Sequence, residues 1–264
     1  MSPTAIELQD VAKVVRRDIL TMLLEAGAGH PGGSLSVADI LVTLYWEAMD
    51  VRPDRPAWEE RDRLILSKAH AAPALYAALA RRGYFDVREL LTFRRLRSIL
   101  QGFPDAQRTP GVDASVGSPG QGLSIGNGIA MAAKRGGKGY RIFCVMGDGE
   151  THEGQVWEAA MTAAHHKLDN VCAVIDRNMM MGDGSTEDIV ALSPLAEKWK
   201  TGTSSRWTAT TSSDWRPPST RRNRSWGGPP WSSRRRSRAG ECRSWRTARS
   251  GTTGSSPRTS TRRR

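Results

Sequence analysis

Residues 141–149 read RIFCVMGDG and residues 171–178 read VCAVIDRN. Each is an apolar run of strand length that stops at a side chain with a hard oxygen, Asp148 in the first and Asn178 in the second. The segment between them, from about Gly154 to His166, has helical character. Strands that are apolar throughout are buried on both faces, so strand, helix and strand in succession predict an α/β fold, a parallel sheet flanked by helices. Ligands of such sheets bind beyond the carboxyl ends of the strands, where Asp148 and Asn178 would leave on the same edge. One carboxylate, one amide oxygen and a backbone carbonyl leave positions on a Mg²⁺ ion free for phosphate oxygens. Gly149 adds a backbone that a diphosphate can approach closely, at the start of a helix whose amides favour anions. The tripeptide GDG alone reads as well as a turn; the Asn closing the next strand makes the ligand pair.

Upstream, Ile6, Val11, Val14, Val15, Ile19, Met22 and Leu23 recur at helical spacing and predict a first helix ending before Gly27. The segment 27–33, GAGHPGG, reads as a loop. Ser36 reads as the N-cap of a second helix reaching about Ala48. A short buried strand is expected at 64–67 before His70, then a helix from about Pro73 to Arg82. The stretch from Val112 to Gly122 is rich in Gly, Ser and Pro and opens into a helix from about Leu123 to Lys134.

The net charge of +12 misleads about this part of the chain. Residues 201–264 hold 16 Arg with only Asp214 and Glu241 against them, and contain no Leu, Ile, Val, Met, Phe or Tyr. Such a segment cannot bury enough apolar surface to offset the entropy of ordering it. Residues 1–200 are therefore expected to form the folded domain and 201–264 a disordered tail. No apolar run is long enough to span a membrane, and no leader pattern opens the chain. Cys144, Cys172 and Cys242 lack zinc or redox spacing, so a cytoplasmic protein with reduced thiols is expected.

The GDG and DRN pair resembles the thiamine diphosphate motif, and four further stretches narrow the likeness: GAGHPGGSLS at 27–36, LSKAHAAPALYAAL at 66–79, TPGVDASVGSPGQGLSIGNGIAMA at 109–132 and GDGETHEGQVWEAA at 147–160. Together they resemble the N-terminal, diphosphate-binding half of a transketolase, over nearly all of residues 5–200. The resemblance implies Asp148, Asn178 and the Met180 carbonyl as ligands of Mg²⁺, and Gly149, Gly117 and His70 against thiamine diphosphate. It implies His30 and His70 as catalytic residues that contact cofactor or donor sugar and assist proton transfer. Glu153 and Glu158 match acidic positions of the family's dimer interface, although either also reads as a solvated helix face. His165 and His166 match nothing in the family and read as helix-end residues.

By the same resemblance, a two-carbon ketol unit passes from a ketose to an aldose, both sugar phosphates, with the bond-making chemistry carried by the cofactor. The domain that activates the aminopyrimidine in the family is not in this chain, so a C-terminal subunit is the expected partner. Three departures stand out. Phe103 occupies the place of a substrate-contacting His and cannot hydrogen-bond; Pro119 replaces a Leu, and Ala69 a Gly. A catalytically inactive transketolase-like product and a deoxyxylulose-phosphate synthase-like subunit are the alternatives. The 109–132 stretch favours the transketolase, and Phe103 favours loss of activity.

Arg, Ser, Thr, Trp and Pro without aliphatics is the composition of GC-rich coding DNA read out of frame. Read from the third base of suitable codons, Thr203 to Trp215 becomes YFVEVDGHDFVRL and Gly228 to Gly254 becomes RPPVVVAKTVKGRGVSFMEDRAEWHYR. Both strings resemble the family's continuation, so a frameshift near Thr201 is expected. An Arg- and Trp-rich nucleic-acid arm is the rival reading, with five Trp for base stacking. The recovered frame accounts for the same residues without an added function.

Overall fold

The computed structural model describes residues 5–182, 184–202 and 207–210, all within the first of the two units into which the chain divides, Met1–Gly228. The helices are α1 (Ala5–Ala26), α2 (Pro31–Ser36), α3 (Ala38–Thr43), α4 (Ala72–Arg82), α5 (Gly122–Arg135), α6 (Gly154–His165), α7 (Thr186–Ile189) and α8 (Leu195–Gly202). The strands are β1 (Arg63–Leu66), β2 (Ile142–Gly147), β3 (Val171–Asp176), β4 (Met180–Met181), β5 (Gly184–Ser185) and β6 (Trp207–Thr210). The first three and β6 form one parallel sheet in the order β1-β2-β3-β6, while β4 and β5 pair antiparallel as a small ribbon.

The unbroken apolar runs have the expected cause. Leu64, Leu66, Phe143, Val145, Cys172 and Val174 face a core shared with α1, α3 and α4. Their alternate neighbours Ile65, Ile142, Cys144, Met146, Ala173 and Ile175 face a second core with α5, α6 and α8, in which Trp157 stacks on Trp199 at 4.6 Å. Period-two side chains serve two buried faces, so no polar position interrupts the strands. The register sets Ile142 beside Val171 and Gly147 beside Asp176, so β2 and β3 end level. That places the two motifs side by side, as the sequence predicts.

Two expectations need correction. Pro31, Gly32 and Gly33 are not loop but the first turn of α2, begun by a proline where a missing N–H costs nothing. Ser36 ends that helix instead of capping the next; the residue ahead of α3 is Val37, without a side-chain cap, and the Leu44–Ala48 segment winds as a π-helix. Helix α8 runs across residue 200, and β6 beyond it pairs with β3 from Ala173↔Trp207 to Asp176↔Thr210. An outer strand is held by its main chain, which composition does not register. The expectations for 211–264, including the disordered tail and the nucleic-acid arm, fall outside the described residues.

Candidate functional site

Three strand ends meet at one edge. After β1 the chain reads Ser67, Lys68 and a short 3₁₀ turn, Ala69–Ala71, carrying His70; after β2 come Asp148 and a 3₁₀ turn, Gly149–His152; after β3 come Arg177 and Asn178. Asp148 N–H donates to the Asp176 carbonyl at 3.2 Å, joining the last two ends.

Asp148 is 1% exposed. Its Oδ1 accepts from Gly149 N–H at 2.9 Å; its Oδ2 accepts from Met179 N–H at 2.7 Å and Arg177 Nη1 at 2.9 Å. Asn178 Oδ1 accepts from Met180 N–H at 2.9 Å. A carboxylate has about four lone-pair sites and an amide oxygen two, so both side chains keep an acceptor free for a cation. The Met180 carbonyl lies 3.5 Å from where a Cβ on Gly149 would stand, and that Cβ would crowd Met181 at 3.1 Å. Gly149 thus eases a close approach, and the same absence of a side chain leaves its main chain bare. No cluster of three His, Cys, Asp or Glu exists among the described residues. One carboxylate with two neutral oxygens is a donor set for Mg²⁺ completed by phosphate, so the residues fit the expected group.

His30 and His70 stand with ring centroids 5.4 Å apart, edge to face. His70 Nε2 rests against Gly33, where a Cβ would come within 2.8 Å. Burial, then Lys68 and His30, push the His70 imidazole down to about 4 from its usual 6.5. His70 is therefore neutral at pH 7. Its contribution to stability follows from the depressed value: the unfolded chain binds the extra proton first, so stability is fully present above about 6.5 and is lost as pH falls from 6.5 toward 4. We expect the His70 ring resonances to titrate with a midpoint near 4, and a midpoint near 6.5 would contradict this packing.

Gly117 lies apart from these contacts, exposed on the 112–121 loop. It lines a hollow of about 620 Å³ with Gln101, Phe103, Asp105, Gln107 and Ser115, among others. Glu153, the residue just ahead of α6, and Glu158 on that helix are exposed, and His166 caps its other end, as expected of a helix-end residue.

Two buried groups were not singled out from the sequence. Lys68, 1% exposed, pairs its Nζ with Asp176 Oδ2 at 2.7 Å, and Ser36 Oγ donates to the same oxygen at 2.5 Å. Glu150, also buried, accepts from Ser67 Oγ, from Gly120 N–H at 2.7 Å and from Gly147 N–H at 3.0 Å, so one carboxylate ties the 112–121 loop to the ends of β1 and β2. Burial raises the Glu150 carboxyl above its ordinary value despite these donors. The available signal was charge inside apolar text: Lys68 sits within LILSKAHAAPAL, where a solvated lysine has no place.

The sequence profile described as "Transketolase, thiamine diphosphate binding domain" matches residues 8–214. Among curated proteins, the chain is 46% identical over 200 residues to the 6-deoxy-6-sulfo-D-fructose transketolase subunit of Clostridium sp. (strain MSTE9), covering 76% of this chain and 73% of that one. It is 39% identical over 199 residues to an apulose-4-phosphate transketolase subunit of Phocaeicola vulgatus, covering 75% and 70% respectively. Among solved structures, transketolase from Campylobacter jejuni superposes with a TM-score of 0.68 at 31% identity, and that from Leishmania mexicana with 0.69 at 29%. These cover 77% and 74% of this chain but only 37% and 31% of the solved ones, so the chain spans about a third of them.

Proposed function

Since this chain belongs to the transketolase family and carries its thiamine diphosphate-binding domain, we propose that it is the diphosphate-binding subunit of a two-subunit transketolase that moves a two-carbon ketol unit between sugar phosphates. The observation that carries the reading is the oxygen set of Asp148, Asn178 and Met180 on level strand ends beside a glycine whose Cβ would crowd Met181. Thiamine diphosphate, when bound, supplies the carbon centre that receives the ketol unit. Asp148, Asn178 and the Met180 carbonyl would hold Mg²⁺, and Gly149, His70 and Gly117 would lie against the cofactor.

The protein's share is then positioning and proton handling. His70 is held neutral by burial and fixed by Gly33, so its ring can take a proton from a sugar hydroxyl and return it. His30, exposed and adjacent, is placed to contact donor sugar. Phe103, 51% exposed, offers that sugar no hydrogen bond.

A C-terminal subunit is the proposed partner. Met179, Met180, Ile189 and Val190 stand about half exposed on and around the β4–β5 ribbon and α7. Apolar side chains grouped beside a polar site suit cover by another chain. No described helix is long and apolar enough to cross a membrane. Cys144 and Cys172 are buried thiols outside any disulfide, which favours a reducing cytoplasm.

The deciding experiment mixes this chain with a transketolase C-terminal subunit, then follows ketol transfer from a ketose phosphate to an aldose phosphate. The expected result is Mg²⁺-dependent cofactor binding by the chain alone and transfer only in the mixture. Transfer by the chain alone would overturn the two-subunit reading, and binding without transfer in any mixture would turn the chain into an inactive relative.

A further inference from the structure

A single buried carboxylate collects donors from three separate segments. Glu150, 7% exposed, lies in the 3₁₀ turn directly after Gly149. Its Oε1 accepts from Gly120 N–H at 2.7 Å and from Ser67 Oγ, and its Oε2 accepts from Gly147 N–H at 3.0 Å. We propose that Glu150 is a positioning residue for the cofactor: it fixes an exposed arch of main chain, Gly117 to Pro119, where the arch meets the part of thiamine diphosphate beyond the diphosphate group. The proposal rests on the reading above, that Gly149 and Gly117 lie against the cofactor, and deepens it.

The arch has buried feet and a bare span. Val116 and Gly120 are buried, while Gly117, Ser118 and Pro119 between them are exposed. Val116 is set in the core shared with α5 and α6, and Gly120 hangs on Glu150. Two residues on, Gly122 N–H donates to Ser67 Oγ at 3.1 Å, and the same hydroxyl directs its own hydrogen at Glu150. From α6, Gln155 Nε2 donates to the Pro119 carbonyl at 3.2 Å.

The held end of the arch has no side chains of its own to fasten it. Gly120 has a φ of +84°, and a Cβ there would stand 2.8 Å from Gln155 Nε2 and 2.9 Å from Glu153 Cβ. A Cβ on Gly122 would stand 2.5 Å from Ser67 Cβ. Main chain pressed this closely against β1 and the start of α6 has only its amides to hold it, so the acceptor must come from elsewhere. Glu150 supplies it.

Donors on both oxygens account for the charge. β1 ends at Leu66, opposite Val145, and Gly147 lies two residues beyond that pair, so its N–H turns to Oε2. An amide in place of the carboxylate would set its NH₂ against a donor on one side or the other, and an apolar side chain would take the acceptor from all three. The place of Glu150 in the chain also joins both parts of the site. Its main chain belongs to the turn that begins at Gly149, and its side chain holds the arch that carries Gly117.

The test compares the full chain with Glu150→Gln and Glu150→Leu in two readouts. The first is amide hydrogen exchange without ligand. Gly120 and Gly122 should exchange at least about tenfold faster in Glu150→Leu, with Cys144 and Val174 in the sheet unchanged. Glu150→Gln, which accepts on one side only, should fall between Glu150→Leu and the wild type. The second readout is binding of thiamine diphosphate and of inorganic pyrophosphate in Mg²⁺, each against a chelator control. Ordering one main-chain residue costs about tenfold in affinity, so Glu150→Leu should bind thiamine diphosphate about tenfold more weakly and pyrophosphate as the wild type does. Should Glu150→Leu fail to fold, Glu150→Gln carries both readouts with smaller shifts. Equal weakening of the two ligands would make Glu150 merely structural and overturn the proposal. So would unchanged exchange at Gly120 or unchanged thiamine diphosphate affinity. A wild-type chain that binds thiamine diphosphate no better than pyrophosphate would strike the cofactor reading instead, whatever the exchange shows.

Discussion

Replacing Asp148 by Ala is expected to abolish the Mg²⁺-dependent part of thiamine diphosphate binding, a loss of at least about 100-fold in affinity. Outer-shell partners of a metal ligand alone are worth about 10- to 100-fold, and Asp148 is the sole anionic ligand of the set. Ala also strips partners from Gly149 N–H, Met179 N–H and Arg177, so some loss of stability must accompany it. Arg177 keeps a second carboxylate, Glu187 Oε1 at 2.5 Å, which limits the damage. Asp148→Asn separates the two effects in part, because its amide oxygen still accepts on one side while its NH2 faces a donor on the other and the charge is gone. The Asn variant should melt between the wild type and the Ala variant and bind cofactor as poorly as the Ala variant. The quantity to measure is the difference in affinity with Mg²⁺ and with chelator, which removes any cation-independent attraction of the Arg-rich segment for a diphosphate. An unchanged difference in either variant would displace the metal site from these strand ends.

What the sequence discloses about this site follows from how local each feature is. β2 and β3 are legible because burial on two faces forces every side chain to be apolar, and their ligands are legible because each closes its own strand. α2 is not legible: the proline and the glycines of 27–33 argue for loop, and what holds the turn is Ser34 Oγ on the His30 carbonyl. Gly33 there serves His70, far along the chain, which no local pattern records. β6 is hidden for another reason, since pairing with β3 is made by main-chain atoms that every residue owns.

Lys68→Met should cost about 3–5 kcal/mol, the usual consequence of stranding one member of a fully buried ion pair. Lys68 and Asp176 are 1% and 0% exposed in their side chains, so water cannot replace the lost partner. The carboxylate would retain a single donor, the Ser36 hydroxyl, and its Oδ1 already has no hydrogen-bond partner. For a domain near 200 residues, that cost corresponds to a fall in Tm of roughly 6–20 °C. Asp176→Leu alone should be about as harmful, for it strands the ammonium; the double variant Lys68→Met/Asp176→Leu should recover most of the loss, because paired removal restores an apolar interior. If each single change and the double change cost the same small amount, the pair contributes nothing specific. The pair also bears on the cation. Ser36 Oγ, fixed by Asp176, lies 3.4 Å from Asn178 Nδ2 and so faces the side of the amide opposite the oxygen offered to the metal. Releasing Ser36 lets that amide turn, so the double variant, though folded, should still bind Mg²⁺ and thiamine diphosphate about tenfold more weakly. Recovered stability with unrecovered affinity is the signature of a positioning role for Lys68; recovery of both would make the pair purely structural.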